Sequence, residues 1–183
     1  MDMTPDLRDV TCCFTGHRSI APVHEHDLPG VLEQVIRTLY SAGVYRFVTG
    51  GALGFDTLAA ETVLSLRDEL ERMHLTVVAP FLRQADRWRE SDRARYERIC
   101  SGADEYRVLR SSYTRFCMRE RNHAMVDMSG VCISYLYRRP SGTSQTVDYA
   151  MQSGLYVISI TDILGQTENP ADDFSAQHVS CPL

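Results

Sequence analysis

The 183-residue chain contains no lysine; all nineteen of its basic residues are arginine. That absence excludes both a phosphate-binding loop of the G-x-x-x-x-G-K type and a Schiff-base lysine for pyridoxal phosphate. Long apolar runs are missing as well. None nears the roughly 18 residues that a membrane span requires, and the N-terminal MDMTPDLRDV lacks the basic-then-apolar order of a secretory signal. The expectation is a cytoplasmic protein with no membrane partner. Cys12, Cys13, Cys100, Cys117, Cys132 and Cys181 form no C-x-x-C pair, and most lie in apolar segments. They read as reduced, small buried hydrophobes rather than as a disulfide framework. Neither G-x-S-x-G nor H-E-x-x-H occurs. His24-Glu25-His26-Asp27 has metal-ligand residue types but no spacing that sets a coordination geometry, so no metal is expected.

What the chain does have is a hydrophobic share of 44%, enough for one globular domain with a sizeable core. The formal charge of −5 argues against indiscriminate binding to nucleic acid. The charge is uneven, however: residues 83–121 carry eleven basic and seven acidic residues, a local +4 against −9 elsewhere. An anionic ligand could therefore be met locally.

Short apolar strands alternate with amphipathic helices, with no repeat or linker to divide them. The strands are expected at 10–16, 45–50, 74–80, 104–109, 130–137 and 155–160. The first helix follows Leu28, Leu32, Val35, Ile36 and Leu39 up to a stop at Gly43. A second carries Ala59, Val63, Leu66, Leu70 and Met73 on one stripe. Charged residues 84–101 form a third, with Trp88, Tyr96 and Ile99 on one face, and 114–128 and 143–153 give two more. We expect a single domain over 1–183, with a core at about 10–160 and an irregular tail over 161–183. Strands joined by helices, and apolar almost throughout, imply α/β architecture: a Rossmann-like, doubly wound, mostly parallel sheet with helices on both faces.

In such sheets ligands bind beyond the carboxyl ends of the strands. The loops there read T-G-H-R (15–18), T-G-G-A-L-G-F-D (49–56), P-F (80–81) and R-R-P-S-G-T (138–143). Gly50, Gly51 and Gly54 permit a sharp turn and close backbone approach, and the helix that follows presents free N–H groups to an anion. Thr15 and Gly16, and Ser141, Gly142 and Thr143, supply two further loops of that kind, with Pro80 beside them. Asp56 reads either as a first-turn acid on the helix dipole or as an acceptor for a ligand hydroxyl such as a ribose. Arg121 shares a stripe with Cys117, Ala124, Met125 and Met128, so it should face the sheet and need an anion or carboxylate. Arg18 is a second cation for a phosphate or else a solvated residue, and one of Arg138 and Arg139 is expected to matter. His17 and His123 read as ordinary loop and helix residues.

The order of T-G-H-R, G-G-A-L-G-F-D, P-F with Trp88 and Tyr96, R-N-H-A-M (121–125) and S-G-T resembles the SLOG superfamily, most nearly its YpsA-like branch. The resemblance spans residues 10–160. It implies binding of a nucleotide or nucleotide-derived ligand of the NAD, ADP-ribose or nucleoside phosphate class, with Asn122 beside Arg121 in the site, in a sensor or regulator that is not clearly an enzyme. It also implies homodimers. Two relatives supply rival functions. Phosphoribohydrolases of the LOG type have an arginine that Arg121 matches, but where their P-G-G-x-G-T-x-x-E loop carries a glutamate this chain has Thr146, which cannot act as a carboxylate. No catalytic residue is assigned. The DNA-processing protein DprA resembles the chain in S-G-x-x-G-x-D and R-N, but acids interleaved with the arginines of 83–121 make single-stranded nucleic acid the weaker expectation.

Overall fold

Strand β1 (Thr11–Gly16) is buried along nearly its whole length, and its alternate side chains feed two separate cores. Cys12 and Phe14 enter one, and Cys13 enters the other. A strand apolar on both faces needs helices on both faces. The computed structural model describes residues 6–167 and shows this arrangement. β1, β2 (Arg46–Thr49), β3 (His74–Ala79), β4 (Glu105–Val108), β5 (Val131–Tyr135) and β6 (Tyr156–Ser159) form one sheet in the order β4-β3-β2-β1-β5-β6. Every pairing is parallel.

Helices α1 (Leu28–Ser41), α2 (Phe55–Ser65), α3 (Glu90–Gly102) and α6 (Ile160–Thr167) cover one face through Leu32, Ala59, Ile99 and Leu164. Helices α4 (Cys117–Asp127) and α5 (Gly142–Gln152) cover the other through Met125, Val126 and Ala150. Under the carboxyl edge an aromatic row runs across the first face. Phe14 stacks on Phe47 with ring centres 5.8 Å apart, meets Phe55 edge-on at 6.4 Å, and Phe55 in turn stacks on Tyr135 at 5.5 Å. These rings carry a large share of the burial and give the loops above them a rigid floor.

Helix limits differ from the periodicity reading where propensity and packing part. α1 stops as expected, with Gly43 at φ 96° beyond its last turn. α2 ends at Ser65, and Leu66 and Met73 reach the core from the turns that follow it rather than from a helix. α3 starts at Glu90, not at residue 84; Trp88 precedes the helix and meets Tyr96 at 5.4 Å. α4 likewise starts at Cys117, not Thr114. The expected irregular tail begins too early: Ile160–Thr167 is helical, because Ile160 and Leu164 bury themselves one turn apart against the α1 face. Residues 168–183, including Cys181, lie outside the described part. The other cysteines are free thiols, buried except for half-buried Cys100. Among the described residues no helix is long and apolar enough to cross a membrane, and no group of three or more metal-ligating side chains occurs. His24 instead shares a 2.8 Å hydrogen bond with the Tyr135 hydroxyl.

Candidate functional site

From β1 the chain winds outward through β2, β3 and β4, then crosses back to place β5 on the other side of β1. The switch point of this sheet therefore lies between β1 and β5, where open α/β sheets have their ligand crevice. The loops after β2, β1 and β5 follow neighbouring strands at that edge; Gly54 abuts the His17–Arg18 backbone, and His17 meets Tyr137, while Ser141–Thr143 open α5 on the opposite face. Pro80 ends β3 one strand further out and is buried.

The glycines of the β2–α2 loop have a packing reason. A Cβ on Gly50 would lie 1.4 Å from Arg121 Nη1, and one on Gly51 would lie 2.7 Å from the Tyr96 ring. One on Gly54, at φ 80°, would lie 2.3 Å from the Arg18 carbonyl oxygen, and one on Gly16 would lie 2.4 Å from Phe55. At all four positions the close approach is made by the protein's own groups. The loop also bonds to itself: Gly51 N–H donates to Thr49 Oγ1 at 3.1 Å, and Thr57 Oγ1 donates to the Ala52 carbonyl at 2.8 Å. Gln84, far along the chain, donates from Nε2 to the Gly50 carbonyl at 3.3 Å.

Asp56 sits in the first turn of α2 and is 5% exposed. Its carboxylate accepts the N–H of Ala52 at 3.4 Å. The Gly-rich loop thus already cradles an anion, one drawn from its own helix. Arg121, 6% exposed on α4, faces the sheet as its stripe predicts, and its Nη1 lies 3.6 Å from Asp56 Oδ2. That separation gives electrostatic attraction but no hydrogen bond. Nε and Nη1 of Arg121 have no hydrogen-bond partner among the described residues. Burial pushes the Asp56 carboxyl up, and the Arg121 guanidinium and the loop N–H groups only partly oppose it. Burial likewise pulls Arg121 down, against the attraction of Asp56. Asp56 is thus a buried counter-ion beyond either of its two expected roles, and Arg121 holds donors that Asp56 does not satisfy.

Across β1, the α5 N-terminus is closed by its own side chains. Ser141 Oγ accepts the Ser144 N–H at 3.0 Å, and Ser144 Oγ accepts the Ser141 N–H at 2.9 Å, a reciprocal capping box. Gly142 and Thr143 form the first turn, with Thr143 buried. Asn122 donates to Thr146 Oγ1 at 2.7 Å, and Thr146 donates onward to the Gly142 carbonyl at 2.9 Å. The position aligned with the hydrolases' glutamate is a buried hydroxyl used up in structure. Arg139 is taken by Asp148 at 2.9 Å. Arg18 is exposed and lines a cleft of about 170 Å³ at the α2 N-terminus with Leu53, Gly54, Thr57, Asp92 and Arg95. Arg95 is engaged with Glu61 through two nitrogens, which leaves Arg18 as the uncommitted cation there among the described residues.

Sequence reasoning gave no site role to Thr49, Gln84, Tyr96 or His17, although His17 stood in the T-G-H-R loop. Thr49 stood inside the quoted motif and Tyr96 on a core stripe, but Gln84 carried no local signal. Thr15, in β1, is buried at the strand end.

The comparisons with known proteins agree with this frame. The family described as YspA SLOG (YpsA) matches residues 13–155. A UPF0398 protein of Halalkalibacterium halodurans is 30% identical over 138 residues, which cover 74% of this chain and 70% of that protein. The SPbeta prophage-derived protein YoqJ of Bacillus subtilis is 29% identical over 140 residues, 70% of this chain and 80% of its own length. Among solved structures, DNA processing protein A (DprA) of Streptococcus pneumoniae is similar with a TM-score of 0.61 and 16% identity, over 91% of this chain and 58% of that one. DprA of Helicobacter pylori, described for its single-stranded DNA binding mode, gives 0.58 and 16%, over 90% and 76%. At that identity the likeness is one of fold. Because the family match takes in the loops after β1, β2, β3 and β5, the chain belongs to the YspA SLOG family.

Proposed function

We propose that this protein binds a nucleotide-derived ligand of the NAD, ADP-ribose or nucleoside phosphate class at the carboxyl edge of its sheet, as a sensor or regulator. The observation that carries the reading is Arg121: a buried guanidinium whose Nε and Nη1 have no acceptor among the described residues, with Asp56 at 3.6 Å. Such donors suit the anionic oxygens of a phosphate. Arg18 and the N-terminus of α2 line the adjoining cleft, where a second phosphate is favoured by charge and helix dipole. A LOG-like hydrolase is the runner-up, and Thr146 counts against it because its hydroxyl is bonded on both sides and cannot ionise at neutral pH. DprA-like binding of single-stranded DNA is the third reading, drawn from the Helicobacter pylori neighbour. Pairing into a homodimer belongs to the same proposal and is read by sedimentation.

A thermal-shift screen with NAD, ADP-ribose and nucleoside monophosphates tests the first reading. Ligand at a hundredfold excess over Kd stabilises the folded state by about 2.7 kcal/mol, a rise of roughly 5–10 °C for a chain of this size. R18A is expected to weaken binding about tenfold, or ~1.4 kcal/mol, without changing the unliganded melting temperature. No shift with any of these compounds overturns the reading. Release of free base from a nucleoside monophosphate, lost in R121A, would establish the hydrolase instead.

A further inference from the structure

The loop after β1 holds a buried polar group that nothing above employs. His17 is 4% exposed, and its Nε2 has no hydrogen-bond partner among the described residues. The rest of the residue is well held. Its backbone N–H donates to the Tyr135 carbonyl at 3.3 Å, its carbonyl accepts the Phe55 N–H at 3.1 Å, and its ring stands edge-on to Tyr137 at 4.3 Å. Burial, with the Arg138 cation nearby, pushes the imidazole's pKa down and keeps the ring neutral at pH 7. A neutral imidazole carries its proton on one nitrogen and offers the other as an acceptor; with the proton on Nδ1, Nε2 is a bare lone pair. A buried polar atom without a partner is destabilising, a cost that a bound donor would remove.

The position of this lone pair is informative. β1 borders the switch point, and the His17–Arg18 backbone is wedged against Gly54, where an added Cβ would lie 2.7 Å from the His17 carbonyl oxygen. His17 therefore stands between the β2–α2 loop, whose Gly50 abuts Arg121, and Tyr137 after β5, at one carboxyl edge.

We propose that His17 carries its proton on Nδ1 and is a ligand-binding residue whose Nε2 accepts a hydrogen bond from a neutral donor on the nucleotide, either a ribose hydroxyl or an exocyclic amine. The assignment rests on the nucleotide-binding reading and deepens it. Arg121 and Arg18 offer only donors, which suit phosphate oxygens, whereas Nε2 offers an acceptor, which an ionised phosphate cannot use. His17 thereby discriminates among ligands that carry the same phosphate.

Calorimetric titration with adenosine 5′-monophosphate, its 2′,3′-dideoxy analogue and inosine 5′-monophosphate tests this on wild type, H17N and H17Q. The asparagine amide keeps a donor near the place of Nδ1 and has no atom at that of Nε2; the glutamine amide reaches the place of Nε2. Wild type is expected to bind the adenosine nucleotide about tenfold more tightly than one analogue. Weak binding of the dideoxy compound identifies the hydroxyl, and weak binding of the inosine compound identifies the amine. H17N should bind all three alike, and H17Q should recover part of the preference. An undiminished preference in H17N, or none in wild type, overturns the assignment while leaving nucleotide binding intact. No binding of any of the three to wild type overturns both. Nitrogen-15 spectra of wild-type histidines give a separate reading that needs no variant: an Nε2 that is protonated at pH 7 also overturns the proposal.

Discussion

Arg121 and Asp56 show how far a single residue's burial can be inferred. The stripe shared with Cys117 and Met125 placed Arg121 inward, and the structure leaves it 6% exposed. Its partner was not legible, because Asp56 belongs to another helix and carries an ordinary first-turn signature. R121M would strand the buried carboxylate and is expected to lower stability at pH 7 by about 3–5 kcal/mol, measured by urea denaturation. R121M/D56N should regain most of that loss. The pH dependence has a definite sign. Burial raises the folded-state pKa of Asp56 above its unfolded value, so the folded form favours the protonated acid, and stability is lost as pH rises through the folded pKa. Without Arg121 that pKa climbs further. The penalty of R121M should therefore shrink as the pH is lowered through the titration of Asp56, and a penalty that grows on acidification would contradict the assignment.

The loops after β1 and β2 illustrate the next scale, at which an element's composition is legible but its cause is not. Three glycines before α2 announced a turn with close backbone approach, and the approach is real. What approaches Gly50, Gly51 and Gly54 is Arg121, Tyr96 and the Arg18 backbone. Substitution should separate these glycines from one in open space. G54A combines φ 80° with a carbonyl at 2.3 Å and is expected to cost at least about 1–3 kcal/mol. G30A, in α1 with nothing within 4 Å, should gain about 0.5–1 kcal/mol. Equal denaturation midpoints for the two variants would refute the packing account. α6 marks the opposite difficulty. Among its residues 160–165, Ile160 and Leu164 are the buried anchors, too few to raise a helical period above the background of the preceding strand.

For the whole molecule, charge decides between partners. The basic stretch at 83–121 is largely neutralised within the fold. Arg83, Arg95 and Arg110 contact Asp86, Glu61 and Glu120 within hydrogen-bonding distance, and Arg93 and Glu97 make a looser pair at 3.9 Å. Arg115 and Arg119 lie over the Phe116 ring at 4.3 and 5.1 Å, beside exposed Tyr113. A groove that tracks a single strand is continuously basic, whereas acids interleave with the arginines of this stretch. Fluorescence anisotropy with an oligothymidylate at about 0.15 M salt should accordingly show little binding. Tight association with a steep salt slope would favour the DNA reading instead.

The sequence by itself determined the alternation of strands and helices, the four loops at the carboxyl edge, the exclusion of lysine chemistry and the absence of a carboxylate at Thr146. All of these are local: a period, a turn residue or a residue type can be read within one element. Only the tertiary structure decided that Asp56 answers Arg121, that Gln84 braces Gly50, that Thr146 is bonded to Asn122, and that Nε2 of His17 is left over. Arg121 and Asn122 lie on α4, in the crossing from β4 back to β5, and Gln84 meets Gly50 because β3 lies beside β2. Strand order is set by the summed burial of all six strands and their helices, and no single stretch of chain carries it.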